Sequence, residues 1–399
     1  MTTINAQKLK RLDVVVKYFY PVVAGIETNI MNVYSYLQEQ GWDVRIHASS
    51  DTPEERNILS RTETINGLKI SRYPWRWYGF FPNVRWGETD AFCLHNFNVF
   101  PHFFFLATAL FRKFFDIRRP KIFLIPHGGF TPGWETFPPL IRLVKKIYHK
   151  TLGAFLINHS VDALRSVSEW ESQETIRYGV RQNLVTTIPN GLEDYAYSSD
   201  IEDRASDGAK RLAADAQPYI IQIGRIHPIK NQLTAIKALK YAPKQVNFLI
   251  AGPVTDPEYK KLLNETIKHL GLNDRVRFIG VVSGIDKYYL LRKSLANVHM
   301  AIWESYCNAV HESMSQGCVC VVSKDTALEE LIKDGVNGFC VEAHNDEAVA
   351  EKIRYLLDNP HSETIQKIRQ NNLSFAQGHS WTEIAKKVEI LYGNQILLV

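Results

Sequence analysis

The sequence predicts an α/β protein made of two doubly wound domains facing across a cleft, and three observations carry that reading. Buried-strand patterns and amphipathic helix patterns alternate along the chain, and such alternation builds parallel sheets joined by right-handed crossovers. The alternation runs twice, on either side of a polar stretch that follows residue 191. A length of 399 residues suits two domains.

In the first run LDVVVKYFY reads as a buried strand, IETNIMNVYSYLQEQG as a helix closed by Gly41, and WDVRIHAS as the next strand. AFCLHNF, KIFLIPHG, ALRSVS and LVTTIPNG are further strands. The stretch LEDYAYSSDIEDRASDGAKRLAADAQ separates the runs and has room for a short helix. The second run holds the strands PYIIQIG, QVNFLIAG, RVRFIG, ANVHMAI and CVCVVS, with helices between them. Open parallel sheets bind ligands beyond the carboxyl ends of their strands, where loops lead into helices. That rule singles out the loops 19–27, 127–131, 224–231, 280–286 and 303–308.

Composition narrows the class. The chain is 45% apolar and 22% charged, ordinary for a globular protein with an ample core. Its first residues lack the apolar stretch and cleavage site of a signal peptide, and no apolar run approaches the length of a membrane span. The five cysteines are an odd number without metal-ligand spacing, and Cys318 and Cys320 alternate in an apolar run as core thiols. A reducing cytoplasm is the expected compartment. Residues 1–190 hold 23 Lys and Arg against 16 Asp and Glu, whereas the remainder holds 24 against 26. That asymmetry points to different partners for the two halves. An excess of seven charges without a nucleic-acid motif argues against a nucleic-acid partner.

Four short stretches carry chemistry. IGRIHPIKNQ follows a strand and precedes a helix, and offers Arg225, Lys230 and backbone N–H groups to an anion. Taken alone, these cations also suit a solvated surface. YFYPVVAGIETNI places Gly25 where a strand turns into a helix, either as a plain turn or as a close approach to a ligand. LIPHGGF puts His127 just beyond a strand, as a structural histidine or a donor to a substrate oxygen.

In ESYCNAVHESMSQG, Glu304 and Glu312 stand eight positions apart, with helical periodicity beginning near Asn308. On one helix that spacing spans about 12 Å, beyond the roughly 5–9.5 Å between the carboxylates of a glycosidase. The two acids are therefore unrelated surface charges, or they grip the two ends of one long ligand. A nucleotide sugar has the matching layout of hydroxyls at both ends and phosphates between. No D-x-D follows a strand and no His/Cys cluster is visible, so the expectation is no metal, with Arg225, Lys230 and helix N-termini carrying the diphosphate.

Together these stretches resemble glycosyltransferase family 4, retaining enzymes of the GT-B fold with two Rossmann-like domains. The pieces YPVVAGIETNI, IPHGG, SVSEWE, IPNG, IGRIHPIKN, LIAGP, VRFIGVV and ESYCNAVHESMSQGCVCVVSKDTALEELIKDGVNGF occur in the family's order. The resemblance implies an N-terminal acceptor domain of residues 1–192 joined by a returning helix in 376–399, and a donor domain of residues 193–375. It implies that Glu304 holds donor-sugar hydroxyls, Glu312 the ribose, and Arg225 and Lys230 the diphosphate. Tyr306, Cys307, Asn308 and Ala309 would line the donor between the two acids, Gly25 would lie near its phosphates and His127 near its sugar. The implied reaction moves a hexose from a UDP- or GDP-sugar to a glycan or lipid-linked acceptor of cell-surface glycan synthesis, with no cofactor. A nucleotide-sugar epimerase and a non-catalytic nucleotide-sugar-binding scaffold are the alternatives.

The chain departs from the pattern at five places. Ala24, Asn231 and Cys307 replace usual glycines, Cys320 replaces a proline, and KDTALEEL lacks a common Gly-Gly. On the acceptor side, 72–86 and 102–121 mix Trp, Phe and Arg, and IRLVKKIYHKTLGAFLI reads as a basic amphipathic helix. It is either a core helix with solvated cations or a contact to an anionic membrane.

Overall fold

The computed structural model describes residues 10–52, 55–97, 100–130 and 137–397. The chain forms two compact units, Met1–Gly191 with Trp381–Val399, and Leu192–Ser380.

The first unit is built on eight strands: β1 (Arg11–Val15), β2 (Asp43–Ser49), β3 (Thr62–Ile65), β4 (Leu68–Tyr73), β5 (Ala91–His95), β6 (Lys121–Ile125), β7 (Ala163–Ser166) and β8 (Val185–Thr187). Their order in the sheet is β3-β4-β2-β1-β5-β6-β7-β8. All neighbours are parallel except the β3–β4 hairpin. Residues such as Leu12, Val14, Phe92, Leu94 and Leu124 are wholly buried, because a parallel sheet covered on both faces leaves no wet side. The hairpin was not among the expected strands: β3 is TETI, mostly exposed and polar. Its signal lies in the turn, where Asn66 and Gly67 both take positive φ (49° and 80°), as a two-residue hairpin demands. The final helix, Trp381–Leu397, buries Trp381, Ile384, Val388 and Tyr392 in this unit's core beside Ile30 and Tyr34.

The second unit has six parallel strands: β9 (Tyr219–Ile223), β10 (Asn247–Ala251), β11 (Val276–Gly280), β12 (Ala296–His299), β13 (Cys320–Ser323) and β14 (Gly338–Val341), in the order β11-β10-β9-β12-β13-β14. Cys318 and Cys320 are fully buried, and β14 was not expected. The polar stretch after residue 191 is no spacer. It forms the helices Ile201–Arg204 and Asp207–Ala216 and buries Ala196, Ile201, Ala205, Ala209, Ala213 and Ala216 against Tyr219 and Ile221. Small alanines recurring about every four residues make that apolar face, and the surrounding charges hide it from a count of polarity.

Strand order places the sites. In the second unit the chain steps outward from β9 to β11, then returns to the other side of β9 as β12. In the first unit the same reversal falls between β1 and β5. Loops leaving adjacent strands at such a reversal diverge and open a crevice at the carboxyl ends.

Candidate active site

Lys230 lies beyond β9 and Glu304 beyond β12, so the reversal brings together residues 74 positions apart. The Lys230 ammonium donates to Glu304 Oε1. The same oxygen lies 2.9 Å from His299 Nε2, on the last residue of β12. An ionised carboxylate only accepts, so His299 carries its proton on Nε2. Burial works against the charge of Glu304, but Lys230 and His299 outweigh it and hold the carboxyl down at about 2. Burial also lowers the His299 pKa in spite of the neighbouring carboxylate, so at neutral pH the centre is one anion, one cation and a neutral imidazole.

The backbone around Lys230 is held on several sides. Gln222 Nε2 donates to Lys230 O (2.7 Å), Gln232 Nε2 to Arg225 O (2.9 Å), and Ile302 N to Ile229 O (2.9 Å). Asn231 takes a left-handed conformation (φ 48°), and its Nδ2 donates to Met300 O (2.9 Å) and Ala343 O (2.7 Å). A side chain on Gly252, at the end of β10, would place its Cβ 2.0 Å from Gly224 O. Only glycine lets that strand end approach so closely. Arg225 is exposed.

The helix Asn308–Met314 carries Glu312 within it, while Glu304 lies in the loop before it. Glu312 Oε1 accepts from Lys287 Nζ (2.9 Å), which also donates to Glu193 Oε2 (3.0 Å). Burial opposes the Lys287 charge, but Glu312 and Glu193 outweigh it and raise its pKa. Tyr306 OH lies 2.8 Å from His311 Nδ1. Asn308 and Ala309 are half-buried, while Cys307 is buried at φ 77° with its Sγ 3.3 Å from His299 Nε2. The fold thus assembles a group the spacing did not show: ligand atoms of His299, Glu304 and Cys307 lie within 4.8 Å of one another. These three are the residues that can hold a metal ion among those described. Burial, and then Glu304, keeps the Cys307 thiol well above its ordinary pKa and so protonated.

In the first unit Gly25 opens the helix Gly25–Glu39 and is exposed. His127 follows β6 at φ 49°. Its Nε2 lies 2.9 Å from His95 Nδ1, His95 Nε2 lies 2.7 Å from Tyr34 OH, and Tyr34 OH lies 3.2 Å from Tyr392 OH. Burial, with Arg165, lowers the His127 pKa to about 3, so it is neutral. The Glu171 carboxylate accepts from Gly128 N and from Val167 N (2.7 Å) and fixes the loop. A Cβ on Gly129 would meet Phe97 N at 2.6 Å.

Residues 23–194 match the family model described as Glycosyltransferase Family 4, and residues 203–375 the model described as Glycosyl transferases group 1. The chain belongs to glycosyltransferase family 4. It is similar to the GDP-mannose:cellobiosyl-diphosphopolyprenol alpha-mannosyltransferase of Komagataeibacter xylinus, at 24% identity over 94% of this chain and 91% of that one. It is 22% identical to the D-inositol 3-phosphate glycosyltransferase of Corynebacterium glutamicum over 59% of this chain and 58% of that one. Among solved structures, Anabaena HepE in complex with UDP and glucose superposes with a TM-score of 0.74 at 18% identity, covering 96% and 100% of the two chains. Sucrose-phosphate synthase from Thermosynechococcus elongatus gives 0.76 at 14% identity, covering 98% and 100%. The fold of this family 4 glycosyltransferase is GT-B, with two Rossmann-like domains.

Local geometry accounts for two departures of this glycosyltransferase. Ala24 sits at φ −147°, extended backbone that needs no glycine. Asn231 adopts the left-handed conformation more readily than most side chains and gains two carbonyl partners there. Cys307 also stays in positive φ, with its Sγ 3.3 Å from His299 Nε2. His299, Lys287 and Glu193 were not foreseen as site residues. The signal for His299 was its place at the carboxyl end of ANVHMAI, and Lys287 directly follows the loop 280–286.

Proposed function

We propose that this glycosyltransferase is retaining and metal-independent and moves a hexosyl group from a UDP- or GDP-sugar to a glycan or lipid-linked acceptor in cell-surface glycan synthesis on the cytoplasmic side. The observation that carries the reading is Glu304, a buried carboxylate ionised between Lys230 and His299 at the strand-order reversal, with Glu312 one helix further on. Glu304 accepts hydrogen bonds from the donor-sugar hydroxyls, Glu312 from the ribose, and Lys230 with Arg225 binds the diphosphate. The roles of Gly25 and His127 rest on the family resemblance. In the transfer, the bond from the anomeric carbon to the phosphate oxygen breaks and the bond to the acceptor oxygen forms on the same face. The acceptor's proton passes to the departing phosphate.

Metal independence is supported by the chemistry of the only cluster that could take an ion among the described residues. Glu304 already has the Lys230 ammonium as its counter-ion, and that cation can meet the diphosphate charge that a metal would otherwise offset.

The name of the Komagataeibacter relative makes GDP-mannose and a diphosphopolyprenol-linked sugar the first pair to assay. The expected outcome is a glycoside with the donor's anomeric configuration, read by NMR, at a rate unchanged by EDTA. An inverted product would overturn retention. Full loss with chelator, restored by Mn²⁺ or Mg²⁺, would overturn metal independence. Conversion of the sugar in a donor-only incubation would favour an epimerase.

A further inference from the structure

The helix Pro139–Tyr148 has no buried residue. Its apolar residues Leu140, Leu143, Val144 and Ile147 recur at the spacing of one helix face, and that face is turned outward: they are 73%, 56%, 57% and 54% exposed. On the basic side, two cations contact Phe137, just before the helix. Arg142 Nη2 donates to Phe137 O at 3.2 Å, and Lys145 Nζ lies 4.2 Å from the centre of the Phe137 ring. This inverts the ordinary surface helix, which hides its apolar stripe. The helical path continues through a π turn, His149–Gly153, into Ala154–Ser160, and keeps Leu152 and Phe155 exposed. The helix His102–Phe114 lies alongside, with Lys113 Nζ donating to His159 O at 3.2 Å and Phe114 81% exposed.

We propose that the segment 139–160, with the end of the neighbouring helix, is a docking face for an anionic bilayer surface. Its outward apolar side chains enter the boundary between headgroups and acyl chains while flanking cations meet the lipid phosphates. Charge selects this occupant. Residues 102–160 carry nine Lys and Arg against two Asp and Glu; Arg118, Arg119 and Lys121 pair with Asp90 and Asp162, while Lys113 and Lys150 are exposed beside the apolar face. Two copies of such a face repel each other, whereas an anionic surface complements it. No described helix is long and apolar enough to cross a membrane, so the contact lies in the surface plane.

The test uses the full chain without donor, floated with vesicles of phosphatidylcholine alone or mixed with phosphatidylglycerol. Binding is expected on the anionic vesicles, at least about tenfold weaker on neutral ones, and lower at high salt. Leu143→Ser with Ile147→Ser should abolish it while circular dichroism and Tm stay at the parent values, since both side chains are exposed. Lys113→Glu with Lys150→Glu, which leaves the apolar face intact, should weaken anionic binding by about fivefold or more for each charge changed. Equal binding to both vesicle types, parent-like binding by the serine variant, or no binding at all overturns the proposal. So does a lipid-free dimer that the serine substitutions dissociate, which would make the occupant a second copy. Nucleotide binding is measured separately, so failure here leaves the reading of the donor site standing.

Discussion

Lys230 and Glu304 are each other's counter-ion: the ammonium of one closes on the carboxylate of the other inside a site where their side chains are 15% and 8% exposed. Under the proposed function both are needed by the donor, Lys230 by its diphosphate and Glu304 by its sugar. Donor binding then has to open an ion pair that is already made.

This exchange predicts opposite effects of one substitution on two ligands. Glu304→Gln removes the charge that holds Lys230 and keeps the shape. Affinity for a bare nucleoside diphosphate should rise about three- to tenfold, or about 0.7–1.4 kcal/mol. Turnover of the intact donor should fall, because the sugar loses its charged acceptor and a small misplacement is costly to rate. Calorimetry beside kinetics separates the two arms. Weaker diphosphate binding in this variant would show that the pair does not compete with the donor.

Lys287 neutralises Glu312 and Glu193 at once. Removing one partner of a buried ion pair costs about 3–5 kcal/mol. Glu193 is 32% exposed, so Lys287→Met should cost about 2–3 kcal/mol in urea unfolding, as water screens part of the effect. Adding Glu312→Gln should recover part of that loss. If the double variant is as unstable as the sum of the two singles, the charges are not coupled.

Several histidines are kept neutral, chiefly by burial. The pKa of His127 and of His311 falls to about 3 and that of His149 to about 4, from an ordinary 6.5. His95 and His299 shift the same way. Below 6.5 the unfolded chain takes up protons that the folded chain refuses, so stability falls with falling pH. The urea midpoint should drop steadily between pH 7 and 5, well above the window where Glu304 titrates. A flat midpoint over that range would mean these imidazoles are not held neutral.

Asn231 tests whether a residue standing in place of glycine is strained or useful. Asn231→Gly keeps the left-handed backbone but deletes the donor to Met300 O and Ala343 O. With the bond that Asn231 Oδ1 accepts from Thr234 Oγ1 (3.1 Å), three hydrogen bonds at about 1 kcal/mol each, less up to about 1 kcal/mol of relieved backbone strain, leave a net loss of about 2 kcal/mol. Asn231→Ala loses the bonds and keeps the strain, so it should be less stable than the glycine variant. The ranking is read from denaturant midpoints, and a glycine variant more stable than the parent would reverse the assignment.

The alternation of strands and helices was legible because each element writes its own buried face into its residues, as in YIIQI or AFCLH. Elements without such a face were not: TETI in β3 is mostly exposed, and the alanine stripe from 205 to 216 lies among charges. Lys230 and Arg225 stood out as charged groups beside a predicted strand end, and Glu304 and Glu312 by their spacing. His299 and Lys287 did not, since an isolated His or Lys in a strand or helix carries no mark of what it faces.

By itself the sequence determined two α/β units, the loops at their strand ends and the kinds of charge those loops carry, because periodicity and turn chemistry are local. Tertiary structure alone decided the partners. Lys230 meets Glu304 across 74 positions because β9 and β12 are neighbours. Lys287 reaches both Glu193, 94 positions away, and Glu312, 25 away. The same holds for the helix Pro139–Tyr148. Its pattern shows an apolar side, but whether that side is packed or presented depends on what else the chain brings to it, and here no described residue of that helix is buried.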